Sequence, residues 1–431
     1  MQKKKIHALT SILLFILPLF LTTNNLDVGN ALFQRDDVPN DSLNLKMNYS
    51  IDYSTTNPSI FKLWNVVINS WTSNDSEDSI SFQENVIFNN RSSAEYSVHS
   101  FDAFDIYNNS YDYYEQEMEN QEFLNSFHLE YLSNMTLQSY SWNIPESIKL
   151  NDYNTSSSLY QFYTSSQPYC EANDTSIISK AEELKGSETS LVSIAQKIFL
   201  YLCSEMTYVL LDDPIGAKNA LKSMKGDCSE FSSLMVALLR ASGIPARKVL
   251  GFALIDGDIN NAQPKNDIKV GDTWSYSYSD QNIPGHAWVQ YYVPGYGWIS
   301  ADPTWGHSNY ENGAENALLY FNSIDCVHII TTIGDFYGEG IDPELLIFDR
   351  DQSGIPEFPF VYPIGNASAF NFDLSISFYA YNFSKPIVND FSGLGNLLYL
   401  VSSSSLILVI ILIVYNKRKK KKNYATYYKN I

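Results

Sequence analysis

Between residues 37 and 144 apolar and polar positions alternate in short runs, "LNLKMNYSIDYS", "IFKLWNVVINSW", "ISFQENVIFNN" and "FHLEYLSNMTLQSYSW", broken by Asn, Ser and Asp. A period of two sends successive side chains to opposite faces, so the pattern predicts antiparallel strands of a β-sandwich-like module. Aromatic pairs such as Trp64 and Trp71 are expected in its core. Residues 145–180, rich in Ser, Asn and Pro, read as a connector with some ordered pieces, and a domain boundary falls near 175. The period then changes. In "SLVSIAQKIFLYLCSEMTY", Leu191, Ile194, Ala195, Ile198, Leu202 and Met206 recur at helical spacing, with Cys203 beside that face. A second helical run, Phe231, Leu234, Met235 and Leu238, ends at Arg240, Gly243 and Pro245. "RKVLGFALI", "HAWVQYYV" and "GWISAD" predict strands, with Pro294, Gly295 and Gly297 turning the chain between the last two. "FNFDLSISFYAY" returns to strand-like alternation, and no internal repeat is evident.

Both ends carry membrane patterns. A basic start at Lys3 to Lys5 precedes an apolar stretch over residues 12–21, shorter than a comfortable span, so residues 1–25 read as a signal peptide or N-terminal anchor. A mostly apolar run over residues 394–415 predicts a transmembrane helix, and the six consecutive basic residues after Asn416 place the tail, 416–431, in the cytoplasm and the bulk outside. The termini hold ten of the 28 basic residues and no acids, so residues 26–392 carry 18 basic against 48 acidic. Such an acidic surface repels phosphate backbones, which argues against nucleic acid as a partner. Ten N-x-S/T sequons suit an exported chain, and none lies between Asn173 and Asn366.

The sequon-free interval holds the candidate chemistry. Asp227 can cap the second helix, and Glu230 three residues on completes a capping box, which puts Cys228 in the first turn. There the positive end of the helix dipole and the unpaired amides favour a thiolate. A thiolate nucleophile needs a base and an orienter for that base. His286 opens the "HAWVQYYV" strand and Asp302 follows the next one. If Trp288 pairs with Asp302, with a three-residue loop at 294–296, His286 and Asp302 become diagonal neighbours on one face. A one-residue slip would send the acid to the other face.

"KSMKGDCSEFSSLMVALLRASGIPARKVLGFA" followed by "GHAWVQYYVPGYGWISADPTW" resembles the transglutaminase-like superfamily over roughly residues 185–310. The resemblance implies a papain-like transglutaminase core, placed at 175–345; with the β-rich domain at 30–150 and a β-rich juxtamembrane segment at 346–390, both read from the strand-like alternation, the expected fold class is α+β. It implies Cys228 as nucleophile, His286 as base and later acid, and Asp302 as orienter. The Cys228 amide and, by position, Tyr208 would be the oxyanion donors. Trp288 and Trp305 are expected beside the histidine or simply in the core, while His307 and His328 read as incidental, the latter as a satisfied core histidine. The expected activity is peptidase, amidase or protein-glutamine acyltransferase on a protein or peptide outside the cell, with a slight lean to hydrolysis. A catalytically inactive surface module for adhesion or envelope binding is the competing class. No cofactor is implied. His and Cys show no metal-ligand spacing, and Asp349, Asp351 and Ser353 open a weak calcium-loop pattern that lacks the acid at its twelfth position. Among Cys170, Cys203 and Cys326 at most one disulfide is expected if Cys228 stays free.

Overall fold

The computed structural model describes residues 41–334 and 360–384, apart from 56–58, 74–80, 93–97, 119–124, 212, 257–262, 265–266, 278–284 and 366–369. The proposed signal, membrane span, basic tail and calcium-loop residues Asp349, Asp351 and Ser353 lie outside the described residues. Among those described, no helix is long and apolar enough to cross a membrane.

The first strands are β1 (Ser42–Thr55), β2 (Ser59–Val66), β3 (Trp71–Thr72), β4 (Ser81–Ser92), β5 (Val98–Phe104), β6 (Ser110–Met118) and β7 (Asn125–Gln138). Helices α1 (Ser158–Thr164), α2 (Thr175–Lys185) and α3 (Leu191–Glu205) follow, then the short strand β8 (Thr207–Tyr208), α4 (Gly216–Ser223), β9 (Lys225–Gly226) and α5 (Cys228–Ala241). Next come β10 (Ala246–Ala253), β11 (Thr273–Ser277), β12 (Gly285–Val293), β13 (Gly297–Ala301), α6 (Pro303–Tyr310), β14 (His328–Ile333), β15 (Phe360–Gly365) and β16 (Phe370–Ser384).

On β1 the period of two is realised residue by residue: Leu43, Leu45, Met47, Tyr49, Ile51 and Tyr53 are buried and their neighbours are not. A six-stranded sheet has the order β11, β16, β1, β7, β4, β3, and a four-stranded sheet has the order β15, β2, β6, β5. Buried side chains of the two sheets share one core, stitched by Tyr49 Oη donating to Asn65 Oδ1 at 2.7 Å and Tyr131 Oη to Asp112 Oδ2 at 2.7 Å. The strand predicted in the C-terminal β-rich segment, β16, belongs to the same sheet as β1. β16 pairs with β1 from Ser42↔Ser384 to Thr55↔Phe370 and covers an edge that the N-terminal strands leave open.

The third layer is the antiparallel sheet β13, β12, β10, β14, on which α5 packs. α5 is buried from Glu230 to Arg240 and β10 along its whole length, as expected of a helix and strand at the centre of a core. Arg240 ends the helix by donating Nε to Ala246 O at 2.9 Å and Nη1 to Gln167 Oε1 at 2.8 Å. The open edge of β14 is occupied by side-chain amides of the sandwich. Gln83 exchanges two bonds with the Ile330 backbone at 2.8 and 2.9 Å, and Asn109 two with Ile333 at 2.7 and 2.8 Å. Each amide imitates the backbone of a missing strand, so the sandwich fixes where β14 lies.

Candidate active site

Cys228 is the first residue of α5 and half-buried. Asp227 caps the helix, accepting from Ser229 N at 2.9 Å, and Glu230 reaches back to Asp227 N at 3.4 Å and accepts from Ile215 N at 3.0 Å. This reciprocal cap employs the amides of Ser229 and Glu230, not that of Cys228. Gly226 is required by the same arrangement: a Cβ there would meet Glu230 Cβ at 2.2 Å. Beneath the first turn, buried Lys248 donates Nζ to Ser229 Oγ at 2.6 Å and Ser233 Oγ at 3.2 Å, placing a cation near the thiol's end of the helix. The apolar run "RKVLGFALI" gave no hint that its lysine would point there.

β12 and β13 pair with Val293 opposite Gly297 and Val289 opposite Ala301, the register in which Trp288 faces Asp302. His286 and Asp302 accordingly share a face, and His286 Nε2 lies 2.8 Å from Asp302 Oδ2 with both side chains buried. Asp302 also caps α6, its Oδ1 accepting from Thr304 N at 2.9 Å and Trp305 N at 3.1 Å. One carboxylate oxygen thus serves the helix and the other the imidazole. With Nε2 committed to Asp302, Nδ1 is the nitrogen left for Cys228. Burial pulls the His286 pKa down, but the charge and hydrogen bond of Asp302, joined by those of Cys228, outweigh it and hold His286 at about 9. Burial raises Asp302, yet His286 and His328 keep its carboxyl below the usual range.

Trp288 and Trp305 both stack on the imidazole, with ring centroids 5.9 and 4.9 Å away. Tyr208 is half-exposed on β8, paired through its backbone with Gly226, and burial, then the charges of Cys228 and Asp227, push its phenol up. Val209 and Leu210 continue from it as an exposed apolar edge. His307 is structural, its Nδ1 2.9 Å from Cys203 O.

Two readings gain detail. All four cysteines are free thiols. Cys203 turns its sulfur to Pro303 O at 3.6 Å and Cys326 to Asp41 O at 3.3 Å, and Cys170 is buried. His328 is a satisfied core histidine, but one of its partners is Asp302 itself, 3.3 Å from Nε2. His286, Asp302 and His328 consequently bring three potential ligand atoms within 4.8 Å, a grouping invisible in their spacing along the chain.

Among known proteins, residues 178–303 match the family described as "Transglutaminase-like superfamily". A 128-residue stretch is 34% identical to the uncharacterized protein YebA of Bacillus subtilis, covering 30% of this chain and 16% of that protein. A 95-residue stretch is 37% identical to the protein-glutamine gamma-glutamyltransferase of Pseudomonas aeruginosa, covering 22% of this chain and 12% of that protein. The chain thus spans less than a fifth of either relative. A solved structure from Cytophaga hutchinsonii, described as a candidate cysteine protease, aligns with TM-score 0.47 and 16% identity over 80% of this chain and 93% of that one. Cys228, His286 and Asp302 all fall inside the matched interval. The protein is a mixed α/β fold in which residues 178–303 match the transglutaminase-like superfamily core domain.

Proposed function

We propose that the chain is a membrane-anchored, outward-facing cysteine enzyme that breaks amide bonds through a thioester acyl-enzyme. Cys228 Sγ attacks the carbonyl carbon, and the amide of Cys228 with the Tyr208 hydroxyl receives the developing oxyanion. His286 gives its proton to the leaving nitrogen as the C–N bond breaks, leaving the acyl group on sulfur. It then takes a proton from the incoming nucleophile, the thioester breaks, and the thiolate–imidazolium pair returns. Water as acceptor makes the enzyme a peptidase or amidase, the favoured outcome, and a lysine amine makes it a protein-glutamine acyltransferase. The observation that carries this reading is the buried 2.8 Å contact of His286 with Asp302, which leaves the other ring nitrogen for a cysteine at a capped helix start. The anchor and outward orientation rest on the terminal apolar and basic patterns.

Mass spectrometry of the full-length chain incubated with a glutamine-containing peptide library and a primary amine tests it. Hydrolysed or amine-bearing products that need Cys228 are expected and tell the two acceptors apart. An unchanged library with the fold intact favours the non-catalytic surface module. The pH dependence has a defined sign. His286 is raised above its ordinary value, so it is charged at neutral pH and gives up its proton as pH rises through about 9. The rate of Cys228 alkylation by iodoacetamide is expected to change there, and turnover to fall.

A further inference from the structure

His328 is buried at the start of β14 with both ring nitrogens turned on carboxylates. Nδ1 lies 2.7 Å from Asp325 Oδ1, and Nε2 lies 3.3 Å from Asp302 Oδ2. A neutral imidazole has a single N–H. In either neutral tautomer one nitrogen would aim its lone pair at a carboxylate oxygen, in a buried place where that repulsion is poorly screened. Only the doubly protonated ring donates both bonds. We propose that His328 is a positioning residue of the triad: an imidazolium clamped between Asp325 and Asp302, it fixes where Asp302 Oδ2 points and takes up part of the charge that Asp302 would otherwise direct wholly at His286. This rests on the triad reading of Cys228, His286 and Asp302.

The fold builds the clamp deliberately. His286 and His328 begin the two strands flanking β10 and meet across it, rings 5.5 Å apart, above Gly251 and Ala253. The β10–β14 pairing is bulged between Leu250 and Gly251, and a Cβ on Gly251 would meet Ile329 O at 1.9 Å, so only glycine admits this approach. Around His328 two carboxylates, Asp302 and Asp325, face one other cation, His286. Trp288 and Trp305 lie 4.8 and 4.5 Å from its ring, at interplanar angles of 64° and 56°, and enclose it. Cys203, from α3, stays a thiol because burial and then Asp302 push it up, and Tyr320 is pushed to about 12 by burial and then by Asp325 and Asp302. The facing charges are therefore Asp302, Asp325 and His286. Burial pulls His328 down, but Asp325 and the bonds to both carboxylates hold it at about 10, so it carries its proton at neutral pH.

The functional consequence is a restraint on His286. A second cation beside Asp302 keeps the His286 proton from being held too tightly for transfer. Selective ¹⁵N-histidine labelling of the full-length chain reads the clamp directly: both His328 nitrogens are expected to show imidazolium signals through neutral pH and on towards about 10. A His328 ring that is singly protonated at neutral pH overturns the proposal. In His328→Gln, which keeps an N–H for Asp302 without the charge, the upper inflection of iodoacetamide alkylation at Cys228 should move up by about one pH unit. His328→Asn should move it the same way, and serves if the first variant does not fold. A merely structural role would lower the melting temperature and leave the inflection in place, which refutes the proposal. A wild-type inflection that shifts on adding EDTA also refutes it, since a metal ion would then stand where the proton is assigned. The ¹⁵N measurement needs no turnover, so a chain inert to peptides but carrying imidazolium His328 counts against the proposed function and for the clamp.

Discussion

Cys228→Ala is expected to remove hydrolysis and amine incorporation together, a loss of about 10⁴-fold or more, while the melting temperature stays close to that of the parent. The size follows from the mechanism: without sulfur there is no acyl-enzyme, and orientation by His286 and Asp302 has nothing to act on. The stability follows from the cap. Asp227, Ser229 and Glu230 hold the start of α5 through bonds that do not involve the Cys228 side chain, which is only half-buried, so truncating it leaves little cavity. Labelling by a thiol-directed acyl probe, read beside a thermal melt, checks both halves. The other cysteines offer no substitute nucleophile. Cys170, Cys203 and Cys326 are buried, and burial is the main cause that raises Cys203 and holds Cys326 at about 12. Labelling that survives in Cys228→Ala would move the nucleophile elsewhere and sink the triad.

Asp302→Asn should cost nearly as much activity and far more stability. Its shape is retained, and its side-chain oxygen can still accept from Thr304 and Trp305, so the cap of α6 survives. What goes is the charge facing two buried histidines, whose Nε2 atoms lie 2.8 and 3.3 Å from Oδ2. Breaking a buried pair from one side costs about 3–5 kcal/mol. Loss of the orienting carboxylate lowers turnover by about 10⁴-fold. Asp302→Ala should lose about 1 kcal/mol more through the missing cap. The pH dependence of the stability gap follows from the signs. Asp302 is depressed, so its contribution is present above the ordinary carboxylate value and lost as pH falls. The histidines are raised, so theirs is full below the ordinary imidazole value and lost as pH rises through about 9 and about 10. The gap between parent and Asp302→Asn is therefore widest between about pH 4 and 6.5 and closes on either side. Urea melts across pH measure it, and a gap independent of pH would show that the ion pairs contribute nothing.

The features that were legible in the sequence are those written within one helix or one hairpin. The Asp227–Glu230 cap occupies four consecutive positions, and the pairing of Val293 with Gly297 follows from a short turn and the alternation of "HAWVQYYV". Together they locate Cys228, His286 and Asp302 without any long-range information. What escaped depends on contacts between distant segments. His328 reaches Asp302 only because β14 is bulged against β10 and held at its edge by Gln83 and Asn109, residues from the N-terminal layer. Nothing in "CVHII" distinguishes that histidine from a packed one. Lys248 sits in a run that reads as wholly buried strand, and its partners Ser229 and Ser233 belong to a helix whose visible signal is its apolar spacing. The alternation in "FNFDLSISFYAY" correctly predicts a strand but carries no record of its partner, so β16 could not be assigned to the same sheet as β1.

That pairing has a consequence for how the molecule comes into being. β1 is synthesised well before β16, the last described strand, yet one of its edges waits for it, and long-range pairing of this kind is slow because loop closure precedes the contacts that reward it. The core shared by the two sheets also contains Trp305, Val327 and Ile329, the residues on which α6 and β14 rest. Assembly of the stacked rings around His286 is thus tied to closure of the sandwich, and the proposed triad would be organised only near the end of folding. A nascent chain that has exposed Cys228 but not β16 still lacks part of the core on which His286 rests, so on the proposed function maturation itself would delay the chemistry.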